Sequence, residues 1–219
     1  TKQNLLRARK LRRKYDIFVF PESETTPLPI FKFEQLCSGD LALHQTMSSN
    51  LKKWRIHRPL PVQMQVIPIM LQGHELQVCA PTGSGKTLSF IIPILTILQR
   101  TIDLDTCHSF CDEDSSDSDN DATHNNEENQ MDYGNVKCLV VAPTTVLAHQ
   151  IYREFVKYSN GLNIGICLLD EQNVNTDDRQ AVHVIISTPN PLATLIRNNQ
   201  IPFHQIQIVV LDEADELFD

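Results

Sequence analysis

Apolar and polar positions follow two alternating patterns along this chain of 219 residues. Short apolar runs predict five strands, at 75–80, 138–142, 164–169, 183–187 and 206–211. Apolar residues recurring at three- and four-residue steps predict helices, at 41–54, 63–71, 86–99, 145–158 and 191–198. Apolar strands that alternate with amphipathic helices indicate an α/β fold, in which helices flank a parallel sheet.

The N-terminal segment differs from the rest in composition. Residues 1–14 carry seven basic side chains and no acidic one, with a partial helical stripe of apolar residues. A charge run of this kind is typical of a solvated helix or tail, and a dedicated RNA contact is the alternative. Three prolines within 15–35 predict an extended linker. We therefore divide the chain into a basic helix with its linker, 1–29, and a folded domain, 30–219.

An acidic insertion interrupts the pattern at 103–135. It holds eleven acidic residues and neither lysine nor arginine, and without it the formal net charge of −8 becomes +3. Few of its residues can bury apolar surface, so it is predicted to be disordered. Ser115, Ser116 and Ser118 among its aspartates fit either substrates of an acid-directed kinase or an unmodified spacer. The mildly basic remainder suits a domain that faces nucleic acid.

Six cysteines lie mostly in apolar strings, which predicts buried free thiols and a reducing compartment. Cys107, His108 and Cys111 are spaced like metal ligands but lack a second pair, so a zinc site is the less favoured interpretation. No apolar run approaches the roughly 20 residues that span a bilayer, and the N-terminus has no apolar core of a secretory signal. A soluble intracellular protein without a membrane partner is expected.

The segment Ala-Pro-Thr-Gly-Ser-Gly-Lys-Thr, at 80–87, lies between a predicted strand and a predicted helix. Gly83 and Gly85 permit a tight turn whose backbone N–H groups can converge on phosphates. Lys86 supplies a cation for the β- and γ-phosphates, and the Thr87 hydroxyl suits Mg²⁺. This pattern predicts binding of a nucleoside triphosphate.

The last predicted strand is apolar at 208–211 and is expected to be buried. It delivers Asp212 and Glu213 at its carboxyl end, where ligands of open α/β sheets bind. Asp212 is predicted to hold Mg²⁺, directly or through water, and Glu213 to orient or deprotonate the attacking water. A helix N-cap is the alternative role for Asp212.

These motifs resemble those of DEAD-box RNA helicases. That family writes its phosphate loop as Ala-x-Thr-Gly-Ser-Gly-Lys-Thr and a second motif as Asp-Glu-Ala-Asp, found here at 212–215. From about Ile30 onwards the chain resembles the first RecA-like domain. The resemblance implies RNA-dependent ATP hydrolysis, with Lys86, Asp212 and Glu213 catalytic and Thr87 and Asp212 at Mg²⁺. ATP contacts are implied for Pro81, Thr82, Gly83, Ser84, Gly85, Lys86 and Thr87.

An adenine-reading segment of the family, Pro-Thr-x-Ile-Gln, resembles residues 59–63. The carboxamide of Gln63 can both donate to and accept from adenine, and Phe33 is implied as the upstream aromatic. Leu60 replaces the usual hydroxyl residue and Ile56 the usual aromatic, which loosens the pocket. ATP rather than GTP is expected.

Two RNA-binding motifs depart from the family. Pro-Thr-Arg-Glu-Leu-Ala resembles Pro143-Thr-Thr-Val-Leu-Ala148, and Thr-Pro-Gly-Arg resembles Thr188-Pro-Asn-Pro191, so Thr145 and Pro191 replace arginines. The double glycine expected between them is absent near 170–173. RNA contacts are implied for Pro143, Thr144, Thr145, Thr188 and Pro189, with weakened affinity. A helicase-derived ATP-binding scaffold that no longer unwinds RNA is therefore an alternative, and a DNA translocase is disfavoured.

The basic leader followed by Tyr15-Asp-Ile-Phe-Val resembles the Rok-type branch of the family, which implies ribosome assembly in the nucleolus, with a cytoplasmic location as the alternative. Single-stranded or short duplex RNA, ribosome-assembly proteins and a second RecA-like domain in cis are the implied partners of a monomer. The second domain lies outside this chain, and it brings arginines that are worth about 10³- to 10⁵-fold in rate. The chain alone is expected to hydrolyse ATP poorly.

Overall fold

The computed structural model describes residues 2–23, 25–36, 42–109, 133–170, 174–176 and 181–218. Its helices are α1 (Lys2–Lys14), α2 (Gln45–Lys53), α3 (Pro61–Leu71), α4 (Lys86–Ser109), α5 (Thr145–Ser159), α6 (Pro189–Arg197) and α7 (Ala214–Leu217). Its strands are β1 (Cys138–Val141), β2 (Ile166–Leu169), β3 (Val174–Thr176), β4 (Val184–Ser187) and β5 (Ile208–Leu211). Short 3₁₀ helices occur at Phe33–Leu36 and Phe203–Gln205.

The chain forms two compact units. The first comprises Thr1–Ile97 and His149–Leu162, and the second comprises Leu98–Ala148 and Asn163–Asp219. In the first unit, α2 is joined to the end of α5 by the Asn50 side chain, which donates to the carbonyls of Tyr158 (2.8 Å) and Asn160 (2.7 Å). The last carbonyls of a helix have no hydrogen-bond donor within the helix, and the Asn50 amide supplies one at the end of α5.

The second unit contains a five-stranded sheet in the order β3-β2-β4-β1-β5. Strands β2, β4, β1 and β5 are parallel, and β3 runs antiparallel to β2. All four side chains of each of β1, β2 and β4 are buried, as expected for parallel strands covered on both faces. The predicted α/β architecture is therefore confirmed.

Two strand predictions were wrong in part. Residues 75–80 form no strand and are mostly exposed, although they are apolar enough to suggest one. A strand needs a neighbouring backbone to pair with, and an apolar run does not reveal whether that neighbour exists. β5 was predicted to be buried, yet Val209 (58%) and Leu211 (45%) are exposed. Alternate side chains of a strand share a face, so one face of β5 is left uncovered by the described residues.

Helix α4 extends ten residues beyond its predicted end at Gln99. Gln99 donates to Asp103 Oδ1 (2.8 Å) one turn later and accepts from the Asn163 N–H (3.1 Å), so the helix continues through a polar stretch. The prediction of disorder from position 103 is therefore wrong for residues 103–109. Positions 110–132, with the three serines discussed above, lie outside the described residues.

The stretch Lys86–Asp105 of α4 is long and apolar enough to cross a membrane by length and composition, with a mean hydropathy of 1.4. The sequence prediction that no such run exists was therefore too strict. Phe90, Ile91, Ile94 and Leu95 of this stretch are buried in the protein. Packing in the core accounts for their apolar character.

Cys138 and Cys167 are buried free thiols, as predicted, whereas Cys79 is exposed. Desolvation raises the pKa of the Cys138 thiol, which keeps it protonated and unreactive. Within the described residues, no group of three or more His, Cys, Asp or Glu side chains could hold a metal. The Cys107–Cys111 cluster falls where side chains are not described.

The basic N-terminal segment forms helix α1, but it is not solvated on every side. Ala8 is buried, and Arg12 is only 4% exposed. The Arg12 guanidinium donates to Gln65 Oε1 of α3 (2.8 Å), to the Pro27 carbonyl (2.9 Å) and to Glu22 Oε1 (2.5 Å). One face of α1 is therefore anchored to α3 and to the linker.

Candidate functional site

The glycine-rich loop of the first unit turns directly into the N-terminus of α4 at Lys86. Gly83 and Gly85 adopt φ values of 77° and 91°, which glycine populates readily and other residues avoid. The first N–H groups of a helix have no intrahelical partner and carry partial positive charge. The loop and the start of α4 thus form a suitable site for phosphate groups.

Polar groups of the loop have capacity for a ligand. The Lys86 ammonium donates to the carbonyls of Ala80 (2.6 Å) and Pro81 (3.3 Å), so its side chain lies across the loop. Ser84 Oγ is the one buried side-chain polar atom without a hydrogen-bond partner in the part of the chain that the structure describes. A buried hydroxyl without a partner costs free energy that a phosphate oxygen could offset. These residues therefore fit a phosphate-bearing ligand.

Gln63 connects the start of α3 to the phosphate loop. Its Oε1 accepts from the Leu60 N–H (2.9 Å), and its Nε2 donates to the Gly85 carbonyl (3.1 Å). The first contact is half of a capping box, because Leu60 has no side-chain oxygen to complete it. Gln63 is 2% exposed, and each end of its carboxamide retains capacity for one more hydrogen bond. Its predicted contact with adenine stays a prediction.

Phe33, the other predicted adenine contact, is buried in the 3₁₀ turn Phe33–Leu36. Three residues earlier, the Ile30 N–H donates to the Met64 carbonyl (2.8 Å), which ties this segment to α3 next to Gln63. Every residue predicted to bind the nucleotide, from Phe33 to Thr87, lies in the first unit. Asp212 and Glu213 lie in the second unit.

Gly85→Ala is expected to weaken ATP binding by at least about tenfold. A Cβ at Gly85 would lie 2.5 Å from Gln63 Nε2 and 2.8 Å from Leu60 Cδ1, in addition to the cost of about 1–2 kcal/mol for a side chain in left-handed backbone. Gly73→Ala is the matched control, because Gly73 also has positive φ (75°) but a Cβ there meets nothing within 4 Å. Titration with a fluorescent ATP analogue checks this, and equal loss in both variants would contradict it.

The carboxyl ends of four parallel strands are aligned in the second unit. Leu169, Ser187, Val141 and Leu211 pair in register across β2, β4, β1 and β5. The next residues along each strand are Asp170, Thr188, Ala142 and Asp212. The sheet therefore brings both predicted RNA-binding segments and the acidic pair to the end at which its parallel strands terminate, here termed the sheet edge.

The acidic pair follows β5 at this edge. Asp212 is buried, its N–H donates to the Val141 carbonyl (3.0 Å), and its Oδ1 accepts from the Glu213 N–H (3.2 Å). Glu213 has φ 48° and ψ 53°, a left-handed conformation that costs about 1–3 kcal/mol for a non-glycine residue. Such conformations concentrate at functional sites. Glu213, not Asp212, occupies the N-cap of α7, and the N-cap role considered for Asp212 was wrong.

The two predicted RNA-binding segments lie side by side, because the Ala142 N–H donates to the Ser187 carbonyl (3.0 Å). Thr144 and Thr145 are exposed, and Thr144 Oγ1 accepts from the Leu147 N–H (3.3 Å), which caps α5. Thr188 is the N-cap of α6 without a side-chain capping bond. The sheet edge thus presents hydroxyls and helix N-termini in place of arginines.

A cavity of about 380 Å³ opens beside these segments. Asp170 places a carboxylate in its wall, and desolvation raises the pKa of Tyr133, which keeps the phenol neutral. A carboxylate in the wall disfavours a phosphate group inside this cavity. Its lining consists of Tyr133, Leu169, Asp170, Asn190, Pro191, Thr194 and Leu195.

Sequence reasoning missed Arg12 and Gln65, which anchor α1, and the contact between Gln63 and Gly85. A local signal existed only for α1, where Ala8, Arg12 and Tyr15 recur at helical spacing and could have been recognised as an inward face. Contacts between residues far apart in the chain leave no such signal.

Residues 60–219 match the family model described as DEAD/DEAH box helicase. The chain is 31% identical over 201 residues to ATP-dependent RNA helicase ROK1 of Scheffersomyces stipitis, covering 90% of this chain and 31% of that protein. It is 32% identical over 224 residues to probable ATP-dependent RNA helicase DDX52 of Bos taurus, covering 98% of this chain and 32% of that protein. It is 31% identical over 215 residues to DEAD-box ATP-dependent RNA helicase 57 of Oryza sativa, covering 97% of this chain and 34% of that protein. The chain spans about a third of the length of these relatives.

Proposed function

This chain belongs to the DEAD/DEAH box helicase family, and from that we propose that it is the ATP-binding part of an ATP-dependent RNA helicase. The observation that carries the proposal is the phosphate loop, where positive-φ glycines, Lys86 and the unpaired Ser84 hydroxyl surround the N-terminus of α4. Relatives named as ATP-dependent RNA helicases support RNA as the substrate.

Each residue of the proposed site has a chemical role. Bound ATP with Mg²⁺ supplies the phosphoanhydride bond whose hydrolysis drives the cycle. Lys86 would exchange its contacts with the Ala80 and Pro81 carbonyls for phosphate oxygens. Thr87 in the first unit and Asp212 in the second would each offer an oxygen ligand to Mg²⁺, directly or through water. Glu213 would orient the attacking water and accept its proton.

The proposed RNA site is the sheet edge that carries Pro143, Thr144, Thr145, Thr188 and Pro189. Its hydroxyls and the backbone N–H groups of two helix N-termini can bind phosphates without base specificity. We propose that the substrate is single-stranded or short duplex RNA and that a second RecA-like domain acts in cis. We further propose a role in pre-rRNA processing, as a monomer with ribosome-assembly proteins in the nucleolus; the resemblance of the basic leader and Tyr15-Asp-Ile-Phe-Val to the Rok-type branch supports this.

ATP hydrolysis by the full-length protein, measured with and without single-stranded RNA, tests this proposal. Stimulation that saturates with RNA would support a helicase motor. ATP binding without RNA-dependent turnover would reject the motor and leave the second candidate, an ATP-binding scaffold. Thr145, Val146 and Pro191 favour that candidate, because Thr145 and Pro191 replace arginines of the family motifs and Val146 replaces a glutamate.

Thr145→Arg is expected to tighten binding of single-stranded RNA by about 10- to 100-fold, since a hydrogen bond to a charged group contributes about 1.5–3 kcal/mol. Thr145 is exposed at the start of α5, on the proposed RNA edge. Val146→Arg adds the same charge at the adjacent exposed position and serves as the control. Fluorescence anisotropy with a labelled oligonucleotide measures both. Equal tightening in both variants would show that only net charge matters.

A further inference from the structure

Helix α1 has two faces of different character. Ala8 and the anchored Arg12 point inward, whereas Arg7, Lys10, Arg13 and Lys14 are exposed. Successive exposed cations are three or four residues apart, or adjacent, so they share the face opposite Ala8 and Arg12. Residues 1–14 contain no acidic side chain that could neutralise them. The outer face of α1 is therefore a continuous cationic strip.

This strip is held in a fixed orientation. Arg12 reaches α3 and the linker through three hydrogen bonds, and Gln65 Nε2 also donates to the Pro27 carbonyl (3.0 Å). Arg9 donates to Glu22 Oε2 (2.7 Å) and draws the linker to the same side of the helix. A solvated tail would need none of these contacts. Cations fixed on an anchored helix lose less conformational freedom when they bind a ligand than cations on a flexible tail.

Two aromatic rings follow the strip in the linker. Phe18 is 89% exposed and Phe20 is 98% exposed, the two highest values among the large apolar side chains that the structure describes. The segment that carries them is fixed at its start, because the Ile17 N–H donates to the Arg12 carbonyl (2.9 Å) and Tyr15 packs against Phe31 at 5.9 Å between ring centroids. Sequence-tolerant binding of single strands combines cations with exposed aromatic rings, and both are present between Arg7 and Phe20.

We propose that Arg7, Lys10, Arg13, Lys14, Phe18 and Phe20 form a second RNA-binding surface, here termed the α1 surface. Its cations bind the phosphate backbone of single-stranded RNA, and its two rings stack on bases. The inference rests on the proposed function, in which RNA is the substrate. An acidic protein segment would satisfy the cations but would leave both rings in water, so RNA is the better match. The α1 surface would compensate for the absent arginines at Thr145 and Pro191.

The salt dependence of RNA binding tests the cationic part. Each phosphate contact to a single strand contributes about −0.7 to the slope of log K against log salt concentration. Replacing Arg7, Lys10 and Lys14 together with Gln is therefore expected to reduce the slope by about 2. The matched control replaces Lys52, Lys53 and Arg58 with Gln, which removes the same three charges from exposed positions of the same unit. Its slope is expected to stay unchanged.

The measurement uses residues 1–219 and fluorescence anisotropy of a labelled 12-nucleotide oligouridylate at several salt concentrations. Phe18→Leu and Phe20→Leu test the stacking part and are each expected to weaken binding by about 5- to 100-fold. Phe203→Leu, at a half-exposed ring in the second unit, is their control. Thermal unfolding of each variant shows that its fold is retained.

The outcomes separate this inference from the proposed function. Equal slopes for the two triple variants, or RNA binding unaffected by both, would overturn the α1 surface and leave RNA-stimulated hydrolysis by the full-length protein as a separate test. Polyglutamate bound by the parent chain and lost only with Arg7, Lys10 and Lys14, while RNA binding is unchanged, would overturn it in favour of an acidic protein partner. Loss of RNA binding in the Arg7, Lys10 and Lys14 triple variant and in the Phe18 and Phe20 variants, but in neither control, supports the α1 surface.

Discussion

Glu213→Gln is expected to lower RNA-stimulated ATP hydrolysis by the full-length protein by about 10²- to 10⁴-fold, the contribution typical of a general base. The amide has nearly the same shape as the carboxylate but does not accept a proton from the attacking water. The fold around it should be retained, because the hydrogen bond to Asp212 Oδ1 comes from the backbone N–H of Glu213 and not from its side chain. The left-handed backbone at this position is occupied by either residue at similar cost.

Glu216→Gln is the matched control for this prediction. Glu216 is exposed on α7, three residues from Glu213, so its replacement removes the same charge from the same short helix. Steady-state hydrolysis and the affinity for ATP should both be measured. A lower kcat for Glu213→Gln with unchanged ATP affinity identifies a role in the chemical step. A similar loss of kcat in both variants would show that only the negative charge of Glu213 matters. An unchanged kcat for Glu213→Gln would contradict the role of a general base.

Elements with local sequence signals were predicted better than elements that depend on a partner elsewhere in the chain. The predicted start of α3 at Gln63 is within two residues of the observed Pro61, and α5 was predicted to within one residue, because proline at a helix start and apolar spacing are local signals. Strand β3 and the failed strand at 75–80 depend on a partner backbone elsewhere in the chain. That information is not contained in the composition of the segment itself.

In the candidate site, too, the features with local sequence signals were predicted and the contacts between distant residues were not. The sequence identified the loop, Lys86, Asp212 and Glu213 from motifs whose residues are neighbours along the chain. It did not reveal that the Gln63 carboxamide contacts the Gly85 carbonyl, a link across 22 positions that couples the adenine segment to the phosphate loop. Nor did the run of cations reveal what Arg12 contacts. Burial is decided by what lies opposite, here Gln65 and Glu22.

Arg12→Ala is therefore expected to have a large effect on stability. It removes the donor of three hydrogen bonds, and a buried acceptor that loses its partner typically costs about 1–3 kcal/mol of unfolding free energy. Gln65 Oε1, the Pro27 carbonyl and the Glu22 carboxylate would each lose a hydrogen bond, and α1 would lose its main contact with α3. Trp54 is the single tryptophan and lies in the first unit, with the Lys157 ammonium 4.7 Å from its ring centroid. Its fluorescence during urea unfolding therefore reports this unit.

Arg9→Ala provides the control, because Arg9 pairs with the same carboxylate of Glu22 but has a half-exposed side chain. Exposed ion pairs contribute about 0–1 kcal/mol, so its loss should be several-fold smaller. Hydrogen bonds from Arg9 and then Arg12 lower the pKa of Glu22, although burial opposes them. The stability from this pair is present above the unfolded-state pKa of Glu22 and is lost as the pH falls through its lowered folded-state pKa. In acid, the loss of unfolding free energy caused by Arg12→Ala should therefore decrease only by the part that comes from the ion pair with Glu22. Equal losses of unfolding free energy for Arg12→Ala and Arg9→Ala at neutral pH would show that burial of Arg12 is energetically unimportant.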